Sequence, residues 1–189
     1  IEVLGEETIN KAQRIKLITE DYHANYYQVT LPVNYIQKVF KDGTKIDYKR
    51  MKHLILEYEI LKYLNHPNII HTSGLFLGDE NNSPYILYQY IPYNLKDHIK
   101  YIDDIEKVRV ILEICSAMET VHKANLIHLD LKPENILIDE YKHAHLTGFN
   151  LSIYNDRNAE KEFGVGTIAF MAPEVMNEEE YDEKADVFS

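Results

Sequence analysis

The sequence predicts an α+β chain in which a small antiparallel β-sheet with one long helix precedes a mainly helical half. Three observations carry this. Short runs rich in Tyr, Ile and Val recur up to residue 40 and again between 69 and 90. One helix-period apolar stripe occupies residues 47–64. A second, over 108–121, leads directly into a polar loop at 128–135.

Taken in order, the first strand-like runs are Lys16–Ile18, Tyr26–Leu31 and Tyr35–Phe40, the last closed by a Lys41-Asp42-Gly43 turn. A helix is expected from Asp47 to Leu64, with Met51, Leu54, Ile55, Tyr58, Leu61 and Leu64 on one face and a stop at His66-Pro67. Strands Ile69–Leu77 and Tyr85–Tyr90 follow, joined by the turn-rich stretch 78–84. Residues 1–90 thus form a β-rich part, 91–94 (Ile91-Pro92-Tyr93-Asn94) a hinge, and 95–189 a helical part of the same domain. In the helical part Val108, Ile111, Ile114, Cys115, Met118 and Val121 make the apolar stripe, and Ile136, Leu137 and Ile138 a short strand. His143 and His145 lie at strand spacing and could offer a metal two imidazoles, but with no third ligand nearby they read as a surface strand. Glu178-Glu179-Glu180 reads as a solvated acidic turn.

Composition narrows the function. At 189 residues, 45% hydrophobic and 27% charged, the chain has the make-up of a globular protein with a sizeable core. A formal net charge of −11 disfavours nucleic acid and anionic membranes, both of which the summed field would repel. No apolar run reaches membrane-spanning length, so no membrane segment is expected. With Cys115 the single cysteine, no intrachain disulfide can form, which suits an intracellular, cytoplasmic location. The chain starts at Ile1 and stops at Ser189 within a helix-like run, so both ends are expected to be cuts within a longer protein.

The loop His128-Leu129-Asp130-Leu131-Lys132-Pro133-Glu134-Asn135 carries the chemistry. Phosphoryl transfer needs a carboxylate to accept the proton of an attacking hydroxyl and an oxygen ligand to hold a metal ion on the phosphate. Asp130 and Asn135 fit those roles, and Lys132 could reach the same phosphate as a point charge.

With these residues and their neighbours the chain resembles the protein kinase family, from its first strand to part-way through the long central helix of the larger lobe. Tyr35-Ile36-Gln37-Lys38 resembles the third-strand Val-Ala-Ile-Lys motif, so the resemblance places Lys38 on the nucleotide phosphates and Glu57 as its helix partner. Leu137 matches the floor of the adenine slot. Gly166-Thr167-Ile168-Ala169-Phe170-Met171-Ala172-Pro173-Glu174 resembles the activation segment's Ala-Pro-Glu end, and Asp186 the family's buried helix aspartate. Lys132, Pro133, Glu134 and Thr167 resemble the Ser/Thr branch. The resemblance implies a two-lobed kinase-like fold.

The departures are concentrated. Where a Gly-x-Gly-x-x-Gly loop is expected stands Thr19-Glu20-Asp21-Tyr22-His23-Ala24, without glycine and with two carboxylates toward a polyphosphate. Tyr26 and Ile36 replace the smaller residues of the adenine roof. Gly148-Phe149-Asn150 stands for Asp-Phe-Gly, so Asn135 is the one matching metal ligand. Losing a unit charge about 4 Å from magnesium is worth on the order of 4 kcal/mol, roughly a thousandfold in rate. Leu129 replaces the usual Arg that docks an activation-loop phosphate, leaving Ser152, Tyr154 and Thr167 short of one partner. Residues that hold the lobes together (Glu57, Leu61, His128, Phe149, Glu174, Asp186) match. The reading is a pseudokinase that binds a protein partner in signalling and needs no cofactor; the alternative is an active or weakly active Ser/Thr kinase using ATP and magnesium, with unusual metal ligands and a protein substrate.

Overall fold

The computed structural model describes residues 13–20, 24–30, 34–40, 46–79, 82–156 and 164–189. The chain divides into two compact units: the described residues through Lys62 with His71–Tyr90, and Tyr63–Ile70 with Ile91–Ser189.

The first unit is built on β1 (Gln13–Glu20), β2 (Ala24–Thr30), β3 (Asn34–Phe40), α1 (Tyr48–Tyr63), β4 (Thr72–Phe76) and β5 (Tyr85–Gln89). The strands form one antiparallel sheet in the order β1-β2-β3-β5-β4. β1 and β2 run longer than expected, taking in Thr19, Glu20 and Ala24 of the anticipated loop; Asp21, Tyr22, His23 and the Lys41-Asp42-Gly43 turn lie outside the described residues. Strand pairing sets Lys38 opposite Ile86, and Ile36 opposite Tyr88. Because paired residues share a face, Ile36, Lys38, Ile86 and Tyr88 stand on one side of the sheet.

Asp47 opens α1 by accepting from the Arg50 backbone N–H (2.9 Å), and that bond holds its carboxyl below the usual carboxylate value. The buried positions of α1 are Leu54, Glu57, Ile60 and Leu61. Ile55, expected on this face, is exposed, and Met51 and Tyr58 are half-buried. Ile55 follows the buried Leu54 by one residue, about 100° round the helix, while Glu57 takes an inward position that apolar periodicity does not mark. The Lys38 ammonium reaches both Glu57 oxygens (2.8 and 3.1 Å), and the Tyr88 hydroxyl donates to Glu57 Oε1 at 2.7 Å. All three side chains are buried, so each satisfies the others' desolvated polar atoms.

The expected strand at Ile69–Leu77 is shorter, because its first residues leave the sheet. Ile69 bridges Leu146 in parallel, the Ile70 N–H donates to the Leu146 carbonyl (2.9 Å), and the Leu146 N–H to that of Asn68 (2.8 Å). These residues belong with the second unit.

That unit holds β6 (Tyr93–Asn94), α2 (Leu95–His98), α3 (Asp104–Lys123), β7 (Leu126–Ile127), β8 (Ile136–Ile138), β9 (Ala144–Leu146), β10 (Ile153–Tyr154), α4 (Pro173–Met176) and α5 (Lys184–Phe188). β6, β8 and β9 form a small sheet, and β7 pairs with β10. A reciprocal cap of Asp103 and Glu106 starts α3, each carboxylate accepting the other's backbone N–H at 2.8 Å. Its buried stripe is Val110, Ile114, Ala117, Met118 and Val121; Val108, Ile111 and Cys115, expected inside, are exposed. The helix is apolar on more than one side, so its pattern alone did not select the inward face.

Asp186, on α5, is buried and accepts the backbone N–H groups of His128 and Leu129, both at 2.8 Å, while His122 Nε2 lies 2.9 Å from its Oδ2. The His128 ring sits edge-on to Phe149, with centroids 4.8 Å apart, and both side chains are fully buried. His128 Nδ1 accepts the Asp130 N–H and Nε2–H donates to the Thr147 carbonyl, an arrangement that requires the neutral imidazole. Burial pushes its pKa below the ordinary 6.5, opposed by the nearby Asp186 carboxylate.

Two outcomes follow. Lys38→Met leaves the buried Glu57 carboxylate uncompensated and is expected to destabilise the fold by about 3 kcal/mol, read as a lowered denaturation midpoint. For His128, the unfolded chain takes up a proton near pH 6.5 and the folded chain only at lower pH, so the unfolded state binds more protons in that window. Stability therefore falls as pH drops through 6.5, and the loss of melting temperature between about pH 7.5 and about pH 5.5 should shrink in His128→Phe.

Candidate functional site

The loop between β7 and β8 draws four of the sequence-nominated residues together. It starts with a backbone kink: Leu129 adopts a φ of +66°, unusual for a branched side chain, and Asp186 holds its N–H. Beyond the kink Asp130 turns inward, 8% exposed, with both carboxylate oxygens occupied. Oδ1 accepts the Thr167 hydroxyl at 2.7 Å; Oδ2 accepts Lys132 Nζ (2.7 Å) and the Asn135 amide (2.8 Å). Lys132 also donates to the Thr167 oxygen at 2.7 Å, and the Asn135 amide to the Asp130 carbonyl at 2.6 Å. A 3-10 turn, Pro133–Asn135, makes this local: proline presets its first position, and Asn135 is carried back over Asp130. The result is a carboxylate oriented by one ammonium, one amide and one hydroxyl, the equipment for steering a hydroxyl proton.

Gly148 lies beside this cluster at φ +86°, ψ 34°. A Cβ there would fall 2.5 Å from Asn135 Cγ and Nδ2 and 2.7 Å from Oδ1. The amide thus fills the space a side chain at 148 would need, and any such residue must push it aside while tolerating a left-handed backbone. Phe149 and Asn150 follow in a 3-10 turn, the first buried and the second half-buried.

Gly166 has a different constraint. At φ +114°, a Cβ on it would meet the Leu129 carbonyl oxygen at 2.6 Å, so only glycine lets the backbone pass so close. Leu129 joins Ile127, Met171, Ala172, Val175, Tyr181 and Ala185 in one apolar cluster. The chain from Val165 to Val175 is therefore held against the loop by apolar packing around Leu129, the residue that stands in place of the family's arginine. Ser152, weighed for modification, is buried and donates to the His128 carbonyl (3.2 Å), while Tyr154 is half exposed. Glu174 is half-buried in the first turn of α4.

In the first unit, Lys38 and Glu57 meet as described, with Ile36 buried two residues away. Tyr26 pairs with Lys38 across β2 and β3, but its side chain lies outside the described ones. Leu137 is half-buried on β8, opposite His145 and Asn94. His143 and His145 do not converge: His143 Nδ1 pairs with Glu113 (2.6 Å) and His145 Nε2 with Asp139 (3.2 Å). Sequence reasoning missed Tyr88 and the Lys96–Glu134 ion pair at 2.7 Å, neither of which local spacing reveals.

No helix among the described residues is long and apolar enough to cross a membrane. The protein kinase domain family matches residues 29–189. The Aurora kinase of Saccharomyces cerevisiae is 34% identical over 156 residues, covering 80% of this chain and 42% of the yeast protein. The serine/threonine-protein kinase fray1 of Dictyostelium discoideum is 31% identical over 211 residues, covering 97% and 36%. Calcium-dependent protein kinase 4 of Plasmodium falciparum is 35% identical over 144 residues, covering 72% and 27%. The chain thus spans less than half the length of these relatives. Its loop geometry, family match and relatives agree: this is a Ser/Thr-type kinase-like chain belonging to the protein kinase domain family.

Proposed function

We propose that this domain is a catalytically impaired member of its family, a pseudokinase that works by binding another protein in intracellular signalling. The observation that carries the reading is at Gly148: no carboxylate stands there, and the Asn135 amide occupies the space instead. With Gly148 in the carboxylate's place, the family's magnesium ion has no anionic ligand from this position. Asn135 offers one neutral oxygen while its nitrogen is bound to Asp130, and a doubly charged ion needs anionic oxygen to offset its lost hydration. Protein substrates or partners are what a kinase domain implies.

A second reading is favoured by the assembled loop. Asp130, Lys132, Thr167 and Asn135 are already in mutual contact, an arrangement suited to a weakly active Ser/Thr kinase using ATP, with Asn150 or Asp156 as a replacement oxygen ligand.

The two separate in a phosphotransfer assay on Ser- and Thr-containing peptides. The impaired reading expects turnover in the wild-type chain no higher than in Asp130→Asn. It also expects Gly148→Asp alone to restore nothing, because the new side chain must displace Asn135 from a left-handed position. Wild-type turnover that Asp130→Asn abolishes would establish the active alternative, whereas a Gly148→Asp rate within the range of about 1 to 100 per second usual for kinases would show that one carboxylate suffices and that Asn135 gives way to it.

A further inference from the structure

We propose that Tyr88 is a positioning residue: through Glu57 its hydroxyl fixes where α1 sits on the sheet and, with α1, where the Lys38 ammonium points. The inference holds whether or not the domain transfers phosphate.

Tyr88 is mounted on β5, a strand with hydrogen-bonded neighbours on both sides. Ile36 of β3 stands opposite it on one side and Thr72 of β4 on the other, and the next residue, Gln89, donates its N–H to the His71 carbonyl at 2.9 Å. The backbone that carries the ring is therefore held. From there the phenol hydroxyl reaches Glu57 Oε1 at 2.7 Å, a shorter contact than the 3.1 Å between Lys38 Nζ and the same oxygen. Lys38 Nζ stands 2.8 Å from Oε2.

The two donors are not equivalent. A tyrosine hydroxyl is placed by two side-chain torsions and a rigid ring, so on a held backbone it has few positions. A lysine ammonium rides on a flexible four-carbon stem and can follow a carboxylate as it moves. Lys38 would thus pair with Glu57 over a range of placements of α1, and Tyr88 over a narrow one. Leu54, Ile60 and Leu61 are buried alongside Glu57 and hold that face of α1 inward, but apolar burial is non-directional. The hydroxyl bond supplies direction. Because Glu57 and Tyr88 are both buried, a shift of α1 that parts them leaves each polar group desolvated and without this partner.

Side-chain labelling read by peptide mass spectrometry tests this, with carbodiimide and glycine ethyl ester for carboxylates and an acylating reagent for lysines. In the wild-type chain Glu57 and Lys38 should label slowly, as buried groups do. Tyr88→Phe keeps the ring and removes the hydroxyl, and should speed labelling of both residues about tenfold, the lower end of what losing a hydrogen bond to a charged acceptor implies. Asp186, a buried carboxylate of the second unit, should label as in the wild type, which separates a shift of α1 from global opening. Tyr85→Phe removes a buried hydroxyl from the opposite face of the same strand and should leave Glu57 and Lys38 protected. Unchanged labelling in Tyr88→Phe, an equal rise in Tyr85→Phe, or an equal rise at Asp186 would overturn the proposal, because the hydroxyl would then do nothing for α1 or would support the fold only as a whole.

Discussion

The buried carboxylate of Asp186 is the point from which the loop is organised. It receives two adjacent backbone N–H groups, those of His128 and Leu129, and contacts the His122 ring. Hydrogen bonds to a charged acceptor contribute about 1.5 to 3 kcal/mol each, enough to offset the cost of a left-handed leucine. The kink at Leu129 sends its own side chain into the apolar cluster and Asp130 toward Lys132, Asn135 and Thr167. It also brings the Leu129 carbonyl so close to Gly166 that no Cβ can stand between them. Loop and following segment are therefore one packed object, held by unmodified residues.

The same economy of contacts separates what the domain keeps from what it lacks. The Lys38–Glu57–Tyr88 cluster, the His128–Phe149 pair and the Asp186 anchor are all buried and mutually satisfied, so they stabilise their units without a ligand. Gly148 leaves no void: the Asn135 amide takes up the room a side chain there would need.

Much of this was legible from residue order. The sheet followed by a helix, the loop around Asp130 and the pairing of Lys38 with Glu57 could be read because each depends on local pattern or on motifs in sequence. Faces of helices were read less well. In α1 the inward Glu57 is charged and the apolar Ile55 is exposed, and α3 carries apolar residues on two sides, so Ile55, Val108, Ile111 and Cys115 were assigned inside. His143 and His145 were seen as neighbours, but their separate carboxylates, Glu113 and Asp139, come from a helix and a turn. Tyr88 and Lys96 went unnoticed for a similar reason: their partners lie 31 and 38 residues away, and nothing in their own neighbourhoods marks them.

The central claim is that the domain does its work without the family's nucleotide chemistry. Melting of the protein with ATP, in the presence and absence of magnesium, tests it most directly. A ligand at about 100 times its dissociation constant stabilises by about 2.7 kcal/mol, a readily measured shift. The account predicts no shift at millimolar concentrations of ATP with magnesium; a clear, magnesium-dependent rise in melting temperature would contradict it.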